Sequence, residues 1–268
     1  MTTLTYTLLD LDFPAGHQNK TAVLVEGEHE VMLVDAGFTR ADGHRLVAAV
    51  LDTGKPLTKI LVSYGDPDYY FGLDALADAF PTAEILATPL VIKHIDATYE
   101  GKLVAWAQSG ANLPTRQVPL TPLSGDFEFE GHTFELKGGH EGIPDRNWWW
   151  QPESRTALGG VLLFQDQHVW VADTPTTDER KAWIAALDDM AAHDPAVTYP
   201  GHRIPGGTLD TAAISWTRDY LTTFDDVLAT SPDGQTATDR LTATYPDAGL
   251  QVAVQLGPKV AKGEMEWH

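Results

Sequence analysis

The chain has no cysteine, so disulfides, thiolate metal ligands and cysteine nucleophiles are excluded together. Basic residues are scarce: 18 Lys and Arg stand against 38 Asp and Glu, a formal net charge of −20. A field of that sign repels phosphate backbones and anionic lipid headgroups, and no run of basic residues makes a local exception, so nucleic acid is not an expected partner. No stretch reaches the roughly 18–20 apolar residues that a bilayer span needs, and Met1 to Tyr6 lacks both the basic start and the apolar segment of an export signal. The expectation is a soluble, cytoplasmic protein with no membrane partner. Glycine-rich phosphate loops, Gly-x-Ser-x-Gly turns and dinucleotide fingerprints are also missing, which disfavours nucleotide cofactors and serine hydrolysis.

What is present is globular. Apolar residues make up 43% and charged residues 21% of 268 positions, with 23 Gly and 17 Pro spread along the chain, enough to bury a full core. Residues 4–11, 21–26 and 30–34 read as strands joined by short turns. Leu46, Val47, Val50 and Leu51 recur at helical spacing and stop at Gly54 and Pro56. Ile60-Leu61-Val62-Ser63 is an apolar run suited to a strand covered on both faces, and it feeds a polar loop from Tyr64 to Tyr70. A helix over about 72–80, a strand at 84–87 and a helix over about 89–108 follow. Strands and turns then dominate from Val118 to Phe164. Helix returns at about 176–193, a strand at 196–199, and helices over 208–230 and 235–244. No fixed-period repeat and no Pro, Gly or Ser-rich linker interrupts this order. Two β-rich halves, each finished by helices, predict an α/β fold of four αββα layers. We read it as a single domain over 1–268 with a helical C-terminal extension at about 206–268.

Ser63-Tyr64-Gly65-Asp66-Pro67-Asp68-Tyr69-Tyr70-Phe71-Gly72 resembles the metal loop of the metallo-β-lactamase superfamily, Thr/Ser-His-x-His-x-Asp-His-x-x-Gly after an apolar strand. Leu33-Val34-Asp35-Ala36-Gly37 looks like the family's early strand ending in Asp-x-Gly, Gly139-His140 like its third histidine position, and Tyr199-Pro200-Gly201-His202 like its final Pro-Gly-His. These landmarks cover about residues 19–205 in the family's order. In such a loop, alternate positions 64, 66 and 68 converge on one cation while 69 turns towards a second.

Here those positions hold Tyr64, Asp66, Asp68 and Tyr69, and a phenol with a reference pKa of ~10 is a poor ligand for a divalent ion. The bridging carboxylate, expected near the end of strand 155–160, is replaced by Leu158-Gly159-Gly160-Val161. The resemblance therefore implies at most one divalent ion, zinc, manganese or iron, held by Asp66, Asp68, His140 and His202, and not a dinuclear zinc centre. Asp35 is the carboxylate expected to orient the loop. Asp66 and Asp68 are candidate acid–base groups, and Tyr64 and Tyr69 are either core aromatics or phenol donors to a substrate oxygen. Candidate pocket residues are His17, in the Phe13–His17 segment where family members carry a loop over the active site, His168, Trp148 and Trp150. The Trp148-Trp149-Trp150 run is equally suited to core packing or a homodimer interface. His94 and His132 read as surface or structural histidines.

Three functions stay open. One is hydrolysis of a small ester, lactone, thioester or amide by one metal ion. The second is metal-independent acid–base chemistry in a lyase, isomerase or cyclase. The third is a ligand-binding protein without turnover.

Overall fold

Apolar and β-branched runs become strands where their spacing places them. The structure, a computed structural model, describes residues 3–11 and 19–267; the Phe13–His17 segment, with candidate His17, lies outside the described residues. The chain folds into two compact units, one built mainly on Lys20–Leu136 with the N-terminal strand and Trp149–Glu153, the other on Lys137–Trp148 and Ser154–His268.

In the first unit β1 (Thr5–Leu11) lies antiparallel to β2 (Lys20–Glu26), and β2 antiparallel to β3 (Val31–Val34). Helix α1 (Arg40–Asp52) follows, started by a capping box between Thr39 and Asp42. From β3 the sheet continues in parallel through β4 (Leu57–Leu61), then past the short helix α2 (Pro67–Tyr70) and α3 (Leu73–Ala79) to β5 (Glu84–Ala87). Helix α4 (Pro89–Ala105) leads to the two-residue β6 (Thr121–Pro122), parallel to β5. Every residue of β3 is buried, as suits a strand inside the sheet that is covered on both faces. The expected helix to residue 108 ends earlier, in a tighter 3-10 segment at Ala107–Asn112, where Gly110 adopts φ 55°.

A hairpin of β7 (Phe127–Phe129) and β8 (His132–Gly138) turns through Glu130 and Gly131, both with positive φ, the geometry that suits a two-residue loop to the twist of its strands. The Glu130 carboxylate accepts three consecutive backbone N–H groups from the β2–β3 turn, Glu28 at 2.5 Å and His29 and Glu30 at 2.6 Å. Glu130→Ala is expected to cost about 1–2 kcal/mol, kept low by exposure. An unchanged urea midpoint would show that the turn holds itself without the carboxylate.

Strand β9 (Asn147–Gln151) carries the three tryptophans, and all three are buried. Alternation sends successive rings to opposite faces, so both faces of this strand are covered. In the second unit all ten residues of β10 (Thr156–Gln165) are buried, and it runs parallel to β11 (Val197–Arg203) with α5 (Thr177–Ala192) between them in sequence. The strand expected at 196–199 thus runs on through Pro200-Gly201-His202. Helices α6 (Ala212–Thr230), α7 (Gly234–Thr244) and α8 (Gln251–Ala261) complete the unit. Trp183 of α5, fully buried, donates its indole N–H to Leu162 O at 3.0 Å, and Thr217 of α6 accepts from Phe164 N at 2.9 Å, pinning both helices on β10. Among the described residues no helix is long and apolar enough to cross a membrane.

Candidate functional site

Parallel pairing of β3 with β4 sets Val34 opposite Leu61, so the residues that leave the two strands, Asp35 and Ser63, emerge side by side. Asp35 takes a left-handed backbone, φ 68°, uncommon for a residue with a side chain. Its N–H still donates to Leu61 O at 2.8 Å. The carboxyl accepts from Ser63 N at 2.7 Å and from Ser63 Oγ at 2.8 Å. Burial pushes the Asp35 carboxyl from its ordinary 3.8 up to about 7; the Ser63 bonds pull it back and the charge of Asp68 adds to the rise.

The loop beyond Ser63 lies on the Asp35-Ala36-Gly37 turn. Ala36 N donates to Tyr69 O at 2.9 Å and Gly72 N to Gly37 O at 3.1 Å. A Cβ on Gly72 would sit 2.0 Å from Ala36 O, so this last position of the motif admits only glycine. Pro67 starts α2, with Asp66 at its N-cap and Asp68 in its first turn. The expected open loop is therefore part helix.

Asp66 does not cap that helix with its side chain. Its carboxylate forms an ion pair with the Lys102 ammonium from the last turn of α4, and Lys102 also donates to Gly65 O at 3.3 Å. The His94 ring, two turns earlier on α4, lies against Gly65 and meets Tyr64 edge-on at 5.3 Å. Tyr64 and Tyr69 are both buried, 6.1 Å apart and T-shaped. The hydroxyls of Tyr70 and Tyr99 are buried and find no hydrogen-bond partner among the described residues, their rings 6.3 Å apart. Burial drives the Tyr70 phenol well above the ordinary range, with Asp66 and Tyr99 adding to it, and burial pushes Tyr99 up to about 12, so both stay protonated. The first unit thus gathers Asp35, Tyr64, Asp66, Asp68 and Tyr69 on one loop and its supporting turn.

In the second unit His202 stands on β11, stacked on Phe164 at 4.8 Å, its Nδ1 3.1 Å from Asn19 O. That carbonyl can only accept, which puts a proton on Nδ1. His140 follows two left-handed glycines, Gly138 at the end of β8 and Gly139, and its Nε2 lies 2.9 Å from an oxygen of Asp189 on α5. His168 is fully buried with Nδ1 3.0 Å from the Tyr220 hydroxyl, and burial lowers its pKa to about 4, so it is neutral. Trp148 meets His193 edge-on at 5.2 Å. Trp150, counted with the first unit, is 6% exposed.

Lys102 and Asp173 have no place in the sequence expectations, and His94 is there only as a surface or structural histidine. Lys102 and His94 reach the loop from a helix some thirty residues further on, a pairing that no local spacing encodes. Asp173 has each carboxylate oxygen bonded to an indole, Trp170 at 2.8 Å and Trp267 at 2.9 Å. It closes the apolar run Val169–Ala172 as Asp35 closes Val31–Val34, and that shared pattern is the signal by which it could be found.

The profile of the metallo-beta-lactamase superfamily matches residues 16–202. The chain belongs to the metallo-beta-lactamase superfamily. Among solved structures, a metallo-beta-lactamase family protein from Thermus thermophilus is similar at TM-score 0.65 and 19% identity, over 97% of this chain and 93% of that one. The DIM-1 metallo-beta-lactamase is similar at TM-score 0.58 and 17% identity, over 81% of this chain and 93% of that one. A 63-residue stretch is 40% identical to the uncharacterized protein YobT of Bacillus subtilis (strain 168), covering 24% of this chain and 27% of YobT. The fold is the expected metallo-β-lactamase-like α/β fold, and at that coarse level the protein is hydrolase-like.

Superfamily members commonly bind divalent ions such as zinc, which need several lone-pair donors at about 2.0–2.3 Å. The residues present here do not fit that need. Two imidazole positions are phenols, Asp66 is engaged by an ammonium, and His140 faces Asp189. The stretch Leu158–Val161 carries no carboxylate, and β10 shifts register there around Gly160. Among the described residues no three His, Asp or Glu side chains are arranged to hold a metal ion.

Proposed function

We propose that this protein is a metal-independent acid–base enzyme acting on a small carbonyl substrate, with Asp68 as the proton-accepting group. The observation that supports this is the buried carboxyl of Asp35 at the end of β3, within reach of the charge of Asp68 in the first turn of α2: burial chiefly, and that charge in addition, push the Asp35 carboxyl up to about 7. A proton retained at that pH beside a second carboxyl is the arrangement that lets one fold both give and take protons near neutrality. Asp35 is the positioning residue: it is fixed through Ser63 and orders the turn on which the loop rests. Tyr64 and Tyr69 serve as neutral phenols along the same loop, where an O–H can donate to a developing oxyanion. A formal charge of −20 disfavours polyanionic substrates, consistent with a small and weakly charged ligand.

The test is a panel of aryl esters, lactones and thioesters assayed with and without a strong chelator. Turnover is expected to be indifferent to the chelator and to fall about 100-fold in Asp68→Asn. Turnover abolished by chelation and restored by zinc or manganese would sink this reading.

A further inference from the structure

We infer that Lys102 is the resident cation of the 63–72 loop, an internal ammonium that stands where the superfamily's loop meets a metal ion and that excludes one. Four observations carry it. The Lys102 ammonium pairs with the Asp66 carboxylate and donates to Gly65 O at 3.3 Å, so it binds both a side-chain and a main-chain oxygen of the motif. The pair is sheltered, with only 12% of the lysine and 14% of the aspartate side chain exposed, so screening by water and salt is weak. Helix α4 that delivers it is held at its start by Thr88, whose hydroxyl accepts from Val91 N, and by Pro89. On the same helix His94 meets Tyr64, one of the two phenols in imidazole positions, edge-on.

The chemistry is consistent across these parts. A divalent ion attracts the lone pairs of Asp66 and of imidazoles; an ammonium has three donors and no lone pair, and it carries one charge that a single carboxylate neutralises. Once Asp66 serves an ammonium, a second cation there meets a like charge at bonding range and must first displace the lysine. Phenols at Tyr64 and Tyr69 are compatible with that arrangement because they are poor ligands for a divalent ion where the superfamily has imidazoles. The charge of Asp66 is then neutralised without a metal ion. This inference concerns the same loop as the acid–base reading and rests on its metal-free part, but it is tested by binding and stability rather than by turnover, so the two fail separately.

The experiment compares zinc and manganese binding by calorimetry in Tyr64→His/Tyr69→His and in Tyr64→His/Tyr69→His/Lys102→Met. The first restores imidazoles beside Asp66 and Asp68 and is expected to bind zinc poorly; removal of Lys102 is expected to tighten binding roughly tenfold or more. Equal affinity in the two proteins would overturn the inference. A double-mutant cycle on the wild-type background decides the matter if neither binds: Lys102→Met and Asp66→Asn should each lower the melting temperature, and the double variant should lose clearly less than the sum. Strict additivity would show that the two groups are not coupled and would overturn the proposal on its own.

Discussion

Asp35→Asn should remove most of a stability loss that the wild-type protein suffers between about pH 4 and pH 7. In the unfolded chain the Asp35 carboxyl ionises near its ordinary 3.8; in the folded protein it keeps its proton up to about 7. Over that window the folded state binds more protons than the unfolded state, so stability falls as pH rises and the loss is complete above the folded value. A shift of that size corresponds to roughly 4 kcal/mol. Asparagine cannot ionise, yet its amide oxygen can still accept from Ser63 N, and the Ser63 hydroxyl can turn to accept from the amide NH₂. The difference in unfolding free energy between the Asp35→Asn variant and the wild-type protein should therefore move in favour of the variant as pH is raised from 4 to 7, then level off. Urea unfolding at several pH values measures it. A pH-independent difference would mean that Asp35 titrates in the folded protein much as it does in the unfolded chain.

The same turn shows why part of the site could be read from the sequence and part could not. Ile60 to Ser63 is legible because a central parallel strand must be apolar on both faces, and Asp35 is legible because a polar residue ending such a run has to face the strand ends. Gly72 is legible in the motif, and its reason appears in three dimensions, where Ala36 O fills the space of a side chain. The polar loop conceals a helical turn whose local signal, Asp66-Pro67-Asp68, is an N-cap followed by proline. Lys102 could not be found in this way. It lies 36 residues from Asp66 on a helix whose periodicity says which face is buried, and nothing in a period of 3.6 names the partner on the other side. Asp173 and Trp267, 94 residues apart, illustrate the same limit. Hydrophobic pattern encodes faces and order; ion pairs and polar contacts between distant elements depend on how those elements settle.

That distinction also locates the largest loss of stability expected from a single substitution, at a residue with no motif at all. Arg180, in the first turns of α5, is 1% exposed, and its guanidinium holds Asp225 of α6 at 2.6 and 2.7 Å while donating to Thr174 O at 2.9 Å. The group also lies over the Phe224 ring at 5.1 Å, a placement that a flat, delocalised cation tolerates better than an ammonium. It thus joins two helices through charge, hydrogen bonds and ring contact at once. Arg180→Ala removes the cation while leaving the Asp225 carboxylate mostly sheltered from water, and it opens a void beside Phe224. Breaking a buried pair from one side costs about 3–5 kcal/mol, because the partner's desolvation is no longer compensated. Arg180→Met/Asp225→Asn removes both charges and fills the space, and should recover a large share of that loss in urea unfolding. If Arg180→Ala stays within about 1 kcal/mol of wild type, the pair is solvated in practice, and α5 and α6 are held together by their apolar contacts around Trp183 and Phe224 and by the exposed Arg218–Asp188 pair.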